Sequence, residues 1–525
     1  MIDFELQKLI DCIDSDTDFE DELFFQILET EDSLEKAQAI EAVRRKCKEV
    51  DRLDEFNNLL VAWEKKAEEL DSVVNYVDIG QIRIIAPKKE DIECCWNTDD
   101  KGKIRIVDVL ICHMIKEKYF VFILAGIPYI YCNGVYIADN TGAILKTIIR
   151  HFIPIIQVKS TLINSIYNLF FQDCELLASE EDVNKYPLNW IPFKDYLYDV
   201  TTGKYHRYTP AYRVINQIPY NCMDIISSTE KGRIDSFIEQ AILPEDRQTI
   251  LEYIGYCLSR NNSLQKMVLL KGGRGTGKSV LLSLIEKAVG RENVSNVPLQ
   301  SIEEKFHSIQ LLHKLVNICA DINALPLKTT NAIKLITGGD AITDSYKGKD
   351  LITFKAYCKC IFSCNTIPLI LDNDVSNAFY KRLCIIEMDN PPEKPDRELL
   401  NNMQSEIPHL IYLALEAYKE ALERGYLFES EHSKELVKEL YSDSDSVQAF
   451  LEKCTIKKAG ERIAKSLLYR EYLDFCEDSD RQPLQKQNFN RHLRSKGLVE
   501  YKSGVDSWRD ISLIDWKGIN PFTNK

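Results

Sequence analysis

The stretch KMVLLKGGRGTGKSVLLSLIEKAVG, residues 266–290, runs an apolar segment into a glycine-rich turn and then into Lys278-Ser279. Met267 to Leu270 read as a short buried strand. Val280 to Ala288 carry apolar residues at helical spacing, so the glycines fall where a strand turns into a helix. A P-loop, G-x-x-x-x-G-K-S, belongs at that junction. Gly272, Gly273, Arg274, Gly275, Thr276, Gly277, Lys278 and Ser279 are therefore the nucleotide-binding candidates. The glycines let the backbone fold closely around an anion, with its N–H groups and the helix N-terminus facing phosphates. Lys278 would reach the β/γ oxygens and Ser279 would ligate Mg²⁺. ATP and Mg²⁺ are the expected ligands; the alternative is a glycine-rich turn with a chance lysine, which the strand-to-helix context disfavours.

The 525 residues suggest three or four domains, and 45% hydrophobic residues with 10% aromatics can fill real cores. MIDFEL has neither a basic leader region nor an apolar one. The longest apolar run, FVFILAGIPYIY, is broken by Gly126 and Pro128 well short of a membrane span, so a cytoplasmic protein without a membrane partner is expected. Sixteen cysteines are scattered without C-x-x-C pairs. The tightest group, Cys358, Cys360 and Cys364, lies in an apolar strand pattern and reads as buried thiols rather than zinc ligands or disulfides. The net charge of −15 argues against nucleic acid only on average. Thirteen acids lie between Met1 and Glu35, whereas residues 446–525 hold fifteen Lys and Arg against eleven acids. Local basic surfaces decide phosphate binding, and the acidic leader reads as a solvated face or tail.

Four segments follow from texture. Residues 1–90 form an acidic helical region, with apolar residues at helical spacing in LEKAQAIEAVRRKCKEV and LDEFNNLLVAWEKKAEEL. Residues 91–235 form an α+β module containing hairpins around Asn133-Gly134 and Thr202-Gly203. Residues 236–425 alternate strand and helix as an α/β ATPase core does. Residues 426–525 hold a helical connector and a small C-terminal domain.

An ATPase also needs an acid for the metal, a polar sensor for the γ-phosphate and a cation for the transition state. LVNICADIN reads as a strand ending in Asp321, KCIFSCNTIP as one ending in Asn365, and FYKRLCIIEM places Lys381 and Arg382 at the start of a third. Each alone is weak, because strand-end polar residues are common. Together Lys278, Asp321 and Asn365 recur at intervals of 43 and 44 residues, which puts all three at one edge of a parallel sheet. Between the acid and the asparagine, Ser345-Tyr346-Lys347-Gly348-Lys349 reads as a hairpin tip with arms AIT and LITF. Tyr346, Lys347 and Lys349 suit a nucleic-acid backbone, or the lysines merely protect a strand edge.

In the tail, residues 466–514 read as helix, turn, helix and a two-stranded wing around Ser503-Gly504. The second helix, about Gln485 to Lys496, shows Lys486, Arg491, His492 and Arg494, while Phe489 and Leu493 can face inward. This winged-helix pattern suits major-groove recognition; protein contacts are the alternative.

The order GGRGTGKS, strand with Asp321, KLITGGD, hairpin lysines, IFSCNTIP and KRL resembles the superfamily 3 helicases of phage, plasmid and pathogenicity-island replication proteins and of poxvirus-type primase-helicases. NGVYIAD, FKDYLYDVTTGKYHRYTP and ILEYIGYCLSRNNSLQKMVLLKG resemble the module that precedes the ATPase in those proteins. The resemblance implies an AAA+-like core and a homo-hexameric, ATP-dependent DNA helicase that initiates replication of a mobile element, acts at an origin and travels 3′-to-5′. It involves single- and double-stranded DNA and, as partners, host replication proteins. Under it Lys278 and Ser279 are Walker A and Asp321 is Walker B. Asn365 is the sensor, Lys347 and Lys349 the DNA-contacting hairpin, and Arg382 the finger that reaches a neighbouring subunit. Two departures stand out: Asp321-Ile322-Asn323 offers one acid where many relatives have Glu or two acids, and Lys381-Arg382 replaces a frequent arginine pair. Either could act in trans, although the planar guanidinium of Arg382 suits phosphate better. The first ninety residues contain no histidine, and their acids lie on apparent helices, which favours a helicase without a primase; the rivals are a primase-helicase and a nucleotide-switched DNA-binding protein that does not unwind.

Overall fold

The computed structural model describes residues 33–50, 76–79, 82–98, 104–370, 377–392, 398–479 and 483–514, with a few further positions. The acidic leader DCIDSDTDFEDE, apart from Ile13, and most of LDEFNNLLVAWEKKAEEL lie outside these residues. The chain forms two compact units.

The first unit comprises the described residues up to Lys118 together with Thr141–Gln172. Its helix Ser33–Glu49 follows the periodicity of LEKAQAIEAVRRKCKEV. The helical reading of the whole segment up to residue 90 fails, because Tyr76–Ile79 and Ile82–Ile85 pair as antiparallel strands. Val77, Ile79, Ile82, Ile84 and Ile85 are β-branched and prefer extended backbone. Helices Ala143–His151 and Ser160–Phe170 pack together and bury Leu145, Ile148, Ile149, Ile166 and Phe170.

The second unit, Tyr119–Asn140 with Asp173–Lys525, carries the parallel sheet. It begins with a four-stranded sheet in which Ile127–Cys132 and Val135–Ala138 meet at Asn133 and Gly134. Their φ angles of 48° and 88° suit a tight hairpin turn. Leu197–Asp199 and Tyr205–His206 pair across Thr202-Gly203, and Trp190–Pro192 adds a third strand.

The centre is built from α1 (Arg233–Ala241), α2 (Arg247–Leu258), β1 (Met267–Lys271), α3 (Lys278–Val289), β2 (Val294–Ser295), β3 (Val316–Cys319), α4 (Asn331–Gly338), β4 (Ala341–Asp344), β5 (Ile352–Lys355), β6 (Lys359–Cys364), α5 (Ala378–Arg382), β7 (Leu383–Glu387) and α6 (Ile407–Arg424). Five strands pair in parallel in the order β2-β3-β6-β1-β7. Such a sheet is buried on both faces, which explains why its strands read as continuous apolar runs. Val268 and Leu270 of β1 enter one core with α1, α2, α3 and α6, while Met267 and Leu269 enter the other with Phe362 and the β4–β5 hairpin. The sheet order reverses at β1: from it the chain crosses to the β2 edge, returns through β3 and β6, and finishes at β7 on the other side. Ligands bind outside the carboxyl ends of the strands at such a switch point.

After α7 (Glu431–Ser444) come α8 (Ser446–Cys454), β8 (Thr455–Ala464), α9 (Lys465–Asp478), α10 (Lys486–Ser495), β9 (Val499–Ser503) and β10 (Val505–Leu513). The three strands form an antiparallel sheet in the order β8-β10-β9. Phe450, Tyr472, Phe489, Leu493 and Trp508 fill the core beneath it.

Helix α2 crosses α6 at Gly255, where an added Cβ would lie 2.2 Å from the Ala414 carbonyl oxygen and 2.4 Å from the Tyr418 Cβ. Only glycine admits that approach. Gly255→Ala should lower unfolding stability by about 1–3 kcal/mol through overpacking. The measurement is the urea midpoint at unchanged m-value; an unaltered midpoint would show that the two helices separate without cost.

Candidate active site

The glycine turn leaves the carboxyl end of β1, and Gly277, with φ 95°, leads into α3 at Lys278. A Cβ at Gly277 would meet the Phe237 ring at 3.0 Å, so glycine is required there on two counts. Lys278 is buried, and its ammonium donates to the carbonyls of Gly272 at 2.6 Å and Gly273 at 2.7 Å and to Asn365 Oδ1 at 3.3 Å. The lysine is thus already desolvated and aimed along the inside of the turn. Asn365 directly follows β6, the parallel neighbour of β1.

Asp321 lies two residues beyond the end of β3, not at the strand end itself. Its backbone is left-handed, with φ 51°, a conformation that Asp tolerates better than most residues. The Asp321 N–H donates to Ser363 Oγ at 3.1 Å, and Ile322 N–H to the Ser363 carbonyl at 2.8 Å. Ser363 of β6 therefore fixes the turn that presents the acid.

These groups surround a cavity of about 580 Å³, lined by Arg274 to Val280, Asp321 and Asn365 and closed by Phe237, Gln240, Pro392, Asp396 and Leu399. The structure brings together Lys278, Ser279, Asp321 and Asn365 from three strand ends far apart in sequence. Gly272 and Gly273 lie outside the lining and act as acceptors for Lys278. The donor set fits a nucleoside triphosphate with a divalent cation: a buried ammonium, a helix N-terminus, a hydroxyl at Ser279 and a carboxylate at Asp321 all face one space.

Arg382 is not among the residues lining this cavity. It closes the short helix α5 rather than opening a strand, because Asn377, with φ 54°, starts a helical turn that delays β7 to Leu383. Its Nη1 donates to the Ala378 carbonyl at 3.0 Å, and its Nε has no hydrogen-bond partner among the described residues. Lys381 is exposed.

The hairpin expected between the acid and the asparagine is present, with Ala341–Asp344 paired to Ile352–Lys355. Tyr346, Lys347 and Lys349 are exposed on its tip, which turns at Gly348 with φ 76°. Its base is anchored by Asp344, whose carboxylate accepts from Phe306 N, Ser308 Oγ and Ile309 N. On α10, Phe489 and Leu493 are fully buried while Lys486, Arg491 and Arg494 are exposed. Arg494 is engaged by Glu500 at 2.6 Å, which Lys465 also approaches at 3.0 Å. His492 is half-buried, and burial pulls its imidazole below the ordinary range.

Sequence reasoning missed Phe237, Gln240, Asp396 and Leu399, which reach the cavity only through tertiary packing. It also missed the pair at the sheet edge, where Lys271 donates to Glu387 at 2.6 Å and His432 lies 3.0 Å from the same carboxylate.

Residues 270–382 match a sequence family described as a family of unknown function (DUF5906), and residues 442–508 match one described as Poxvirus D5 protein-like. Over 240 residues, 42% of this chain, the sequence is 26% identical to "Putative helicase L207/L206" of Acanthamoeba polyphaga mimivirus; the matched region spans 24% of that protein's length. Two apo structures of the NrS-1 C terminal region align with 77% of this chain and 99% of their own, at TM-score 0.43 and 12% identity. The first matched segment runs from within β1 to Arg382 and so contains the glycine turn, Asp321, Asn365, the hairpin and Arg382, but not Phe237, Gln240, Pro392, Asp396 or Leu399 of the cavity wall.

The Lys271 hydrogen bond is the main influence holding the Glu387 carboxyl below its ordinary value of 4.5; burial opposes it and His432 assists. A depressed carboxyl stabilises the folded state above its unfolded value, and that contribution is lost as pH falls through the folded one. Glu387→Gln should therefore flatten the decline of the urea midpoint below about pH 4.5. Parallel pH profiles for the two proteins would contradict this.

Proposed function

We propose that this chain is an ATP-driven DNA helicase of the superfamily 3 type, acting in replication initiation as a ring-shaped homo-hexamer with 3′-to-5′ travel. In this reading residues 236–425 are an AAA+-like P-loop core, the preceding α+β module and acidic N-terminal region flank it, and the C-terminal segment is a winged-helix DNA-binding domain. One observation carries it: Lys278, Asp321 and Asn365 line one cavity at the switch point of a parallel sheet. The similarity of part of the chain to a viral helicase supports the same reading.

Ser279 and Asp321 would hold Mg²⁺, which when bound neutralises charge on the β- and γ-phosphates. Lys278 would exchange the Gly272 and Gly273 carbonyls for phosphate oxygens, keeping its charge in a desolvated place. Asn365, within hydrogen-bond reach of Lys278, would orient water against the γ-phosphate. Arg382, absent from its own subunit's cavity lining, would complete the site of a neighbour. The hairpin tip would track one strand through Tyr346, Lys347 and Lys349. Lys486 and Arg491 would meet duplex phosphates, with Arg494 joining them on leaving Glu500.

The test is Mg²⁺-dependent ATP turnover together with displacement of a forked duplex bearing tails of either polarity. Lys278→Ala should abolish both while the protein stays folded. Near-normal turnover in that variant would remove the nucleotide assignment, and turnover without strand displacement would leave a nucleotide-switched DNA-binding protein.

A finger in trans contributes about 10³–10⁵ in rate in well-studied NTPases. Arg382→Ala should accordingly be nearly inactive yet bind ATP. Mixed with Lys278→Ala subunits it should regain activity, since some interfaces then pair an intact lysine with an intact arginine. Recovery with Lys381→Ala instead would move the finger to Lys381.

A further inference from the structure

Gly273 is held from both sides. Its carbonyl accepts from Lys278 Nζ at 2.7 Å and from Thr276 Oγ1 at 3.0 Å, and its N–H donates to Asp389 Oδ1 at 3.0 Å. Asp389 follows β7, and each residue of the segment 388–390 fastens a different part of the site. Met388 N–H donates to the Lys271 carbonyl at 2.7 Å. Asp389 takes Gly273, and the Asn390 carbonyl accepts from Gln240 Nε2 at 3.0 Å on the cavity wall supplied by α1. The chain then continues into Pro392, Asp396 and Leu399, which line the cavity.

Asp389 itself is not among the lining residues. Its carboxylate meets the turn through the Gly273 N–H, from outside that lining. At the other end of β7 stands Arg382, so one five-residue strand connects this site's glycine turn with the arginine assigned to the next site.

We propose that Asp389 is a positioning residue: it holds Gly273 while Lys278 transfers its ammonium from backbone carbonyls to phosphate, and it fastens the turn to the strand that starts after Arg382. The inference rests on the ATPase reading of the cavity. When Lys278 leaves the Gly272 and Gly273 carbonyls, the Asp389 bond remains on the peptide that joins Gly272 to Gly273, and the Thr276 contact remains on the peptide that follows it. Loss of the bond should appear in nucleotide affinity rather than in the chemical step.

Asp389 is exposed, so its replacement leaves the core intact. Asp389→Ala should raise KM for ATP about fivefold to tenfold, as expected for loss of one charge-assisted hydrogen bond, with kcat changed less than about twofold. Asp389→Asn, whose amide oxygen accepts the same bond, should restore KM to within about twofold of the wild-type value. Equilibrium binding of ATP should show the same ranking without turnover. An unchanged KM in Asp389→Ala overturns the proposal, as does an Asn variant as weak as Ala. An Asn variant that binds more tightly than wild type would make Asp389 an electrostatic opponent of phosphate, and also overturns it. A wild-type protein that neither binds nor hydrolyses ATP removes the cavity reading itself, an outcome distinct from all three.

Discussion

A carbonyl oxygen lies where a side chain at residue 272 would begin. The Met388 oxygen would stand 2.1 Å from a Cβ on Gly272, closer than any real Cβ contact. That approach follows from the parallel pairing of β1 with β7, in which Lys271 lies opposite Glu387 and Met388 N–H donates to the Lys271 carbonyl. On the other side Gly272 N–H donates to the Cys364 carbonyl at 3.2 Å, at the end of β6. The chain is therefore pinned between two neighbouring strands at the point where it leaves the sheet. The turn that follows has its origin fixed to within a hydrogen bond on each side. Lys278, Asn365 and Asp389 come together because their strands end level with one another around this glycine.

Local sequence made some of this legible. A strand, a glycine turn and a helix fall within residues 266–290, and their apolar spacing changes period where the structure changes element. Asn133-Gly134 marks a hairpin because few other residue pairs accept two positive φ angles. Phe489 and Leu493, four apart, turn inward as helical geometry requires. Other features depend on contacts that no short window contains. Phe237 and Gln240 reach the cavity from α1, well upstream of β1, and Asp389 looks like an ordinary acid after an apolar strand until β7 is placed beside β1. The left-handed backbone at Asp321 depends on Ser363, which lies on a different strand.

Lys359 illustrates a different limit. In KAYCKC it reads as a polar interruption, yet it is fully buried in β6, at the opposite end of that strand from Asn365. Its ammonium donates to the Ser259 carbonyl at 2.6 Å and the Tyr357 carbonyl at 2.9 Å and sits 4.7 Å from the centre of the Tyr256 ring. Ser259 caps the carboxyl end of α2, where the helix presents its negative pole, so a cation is favoured there. Burial nonetheless pushes its pKa down to about 7, and nearby Cys358 is pushed up to about 12, leaving that thiol protonated. Cys358, Cys360 and Cys364 are buried among apolar residues, the environment in which free thiols are inert.

The sheet order bears on the role of the hairpin lysines. A strand edge calls for charge when it leaves N–H and C=O groups open to another chain. The edges of the five-stranded sheet are β2 and β7, whereas β4 and β5 form a separate two-stranded sheet. Lys347 and Lys349 therefore do not lie on an edge of the large sheet. Edge protection also gives no reason for anchoring. Ile342 and Phe354 are buried in the core, and Asp344, whose hydrogen bonds hold its carboxyl below the ordinary range against the pull of burial, pins the base to residues 306–309. The tip that carries Tyr346 and two lysines thus stands on a base held by both apolar packing and hydrogen bonds.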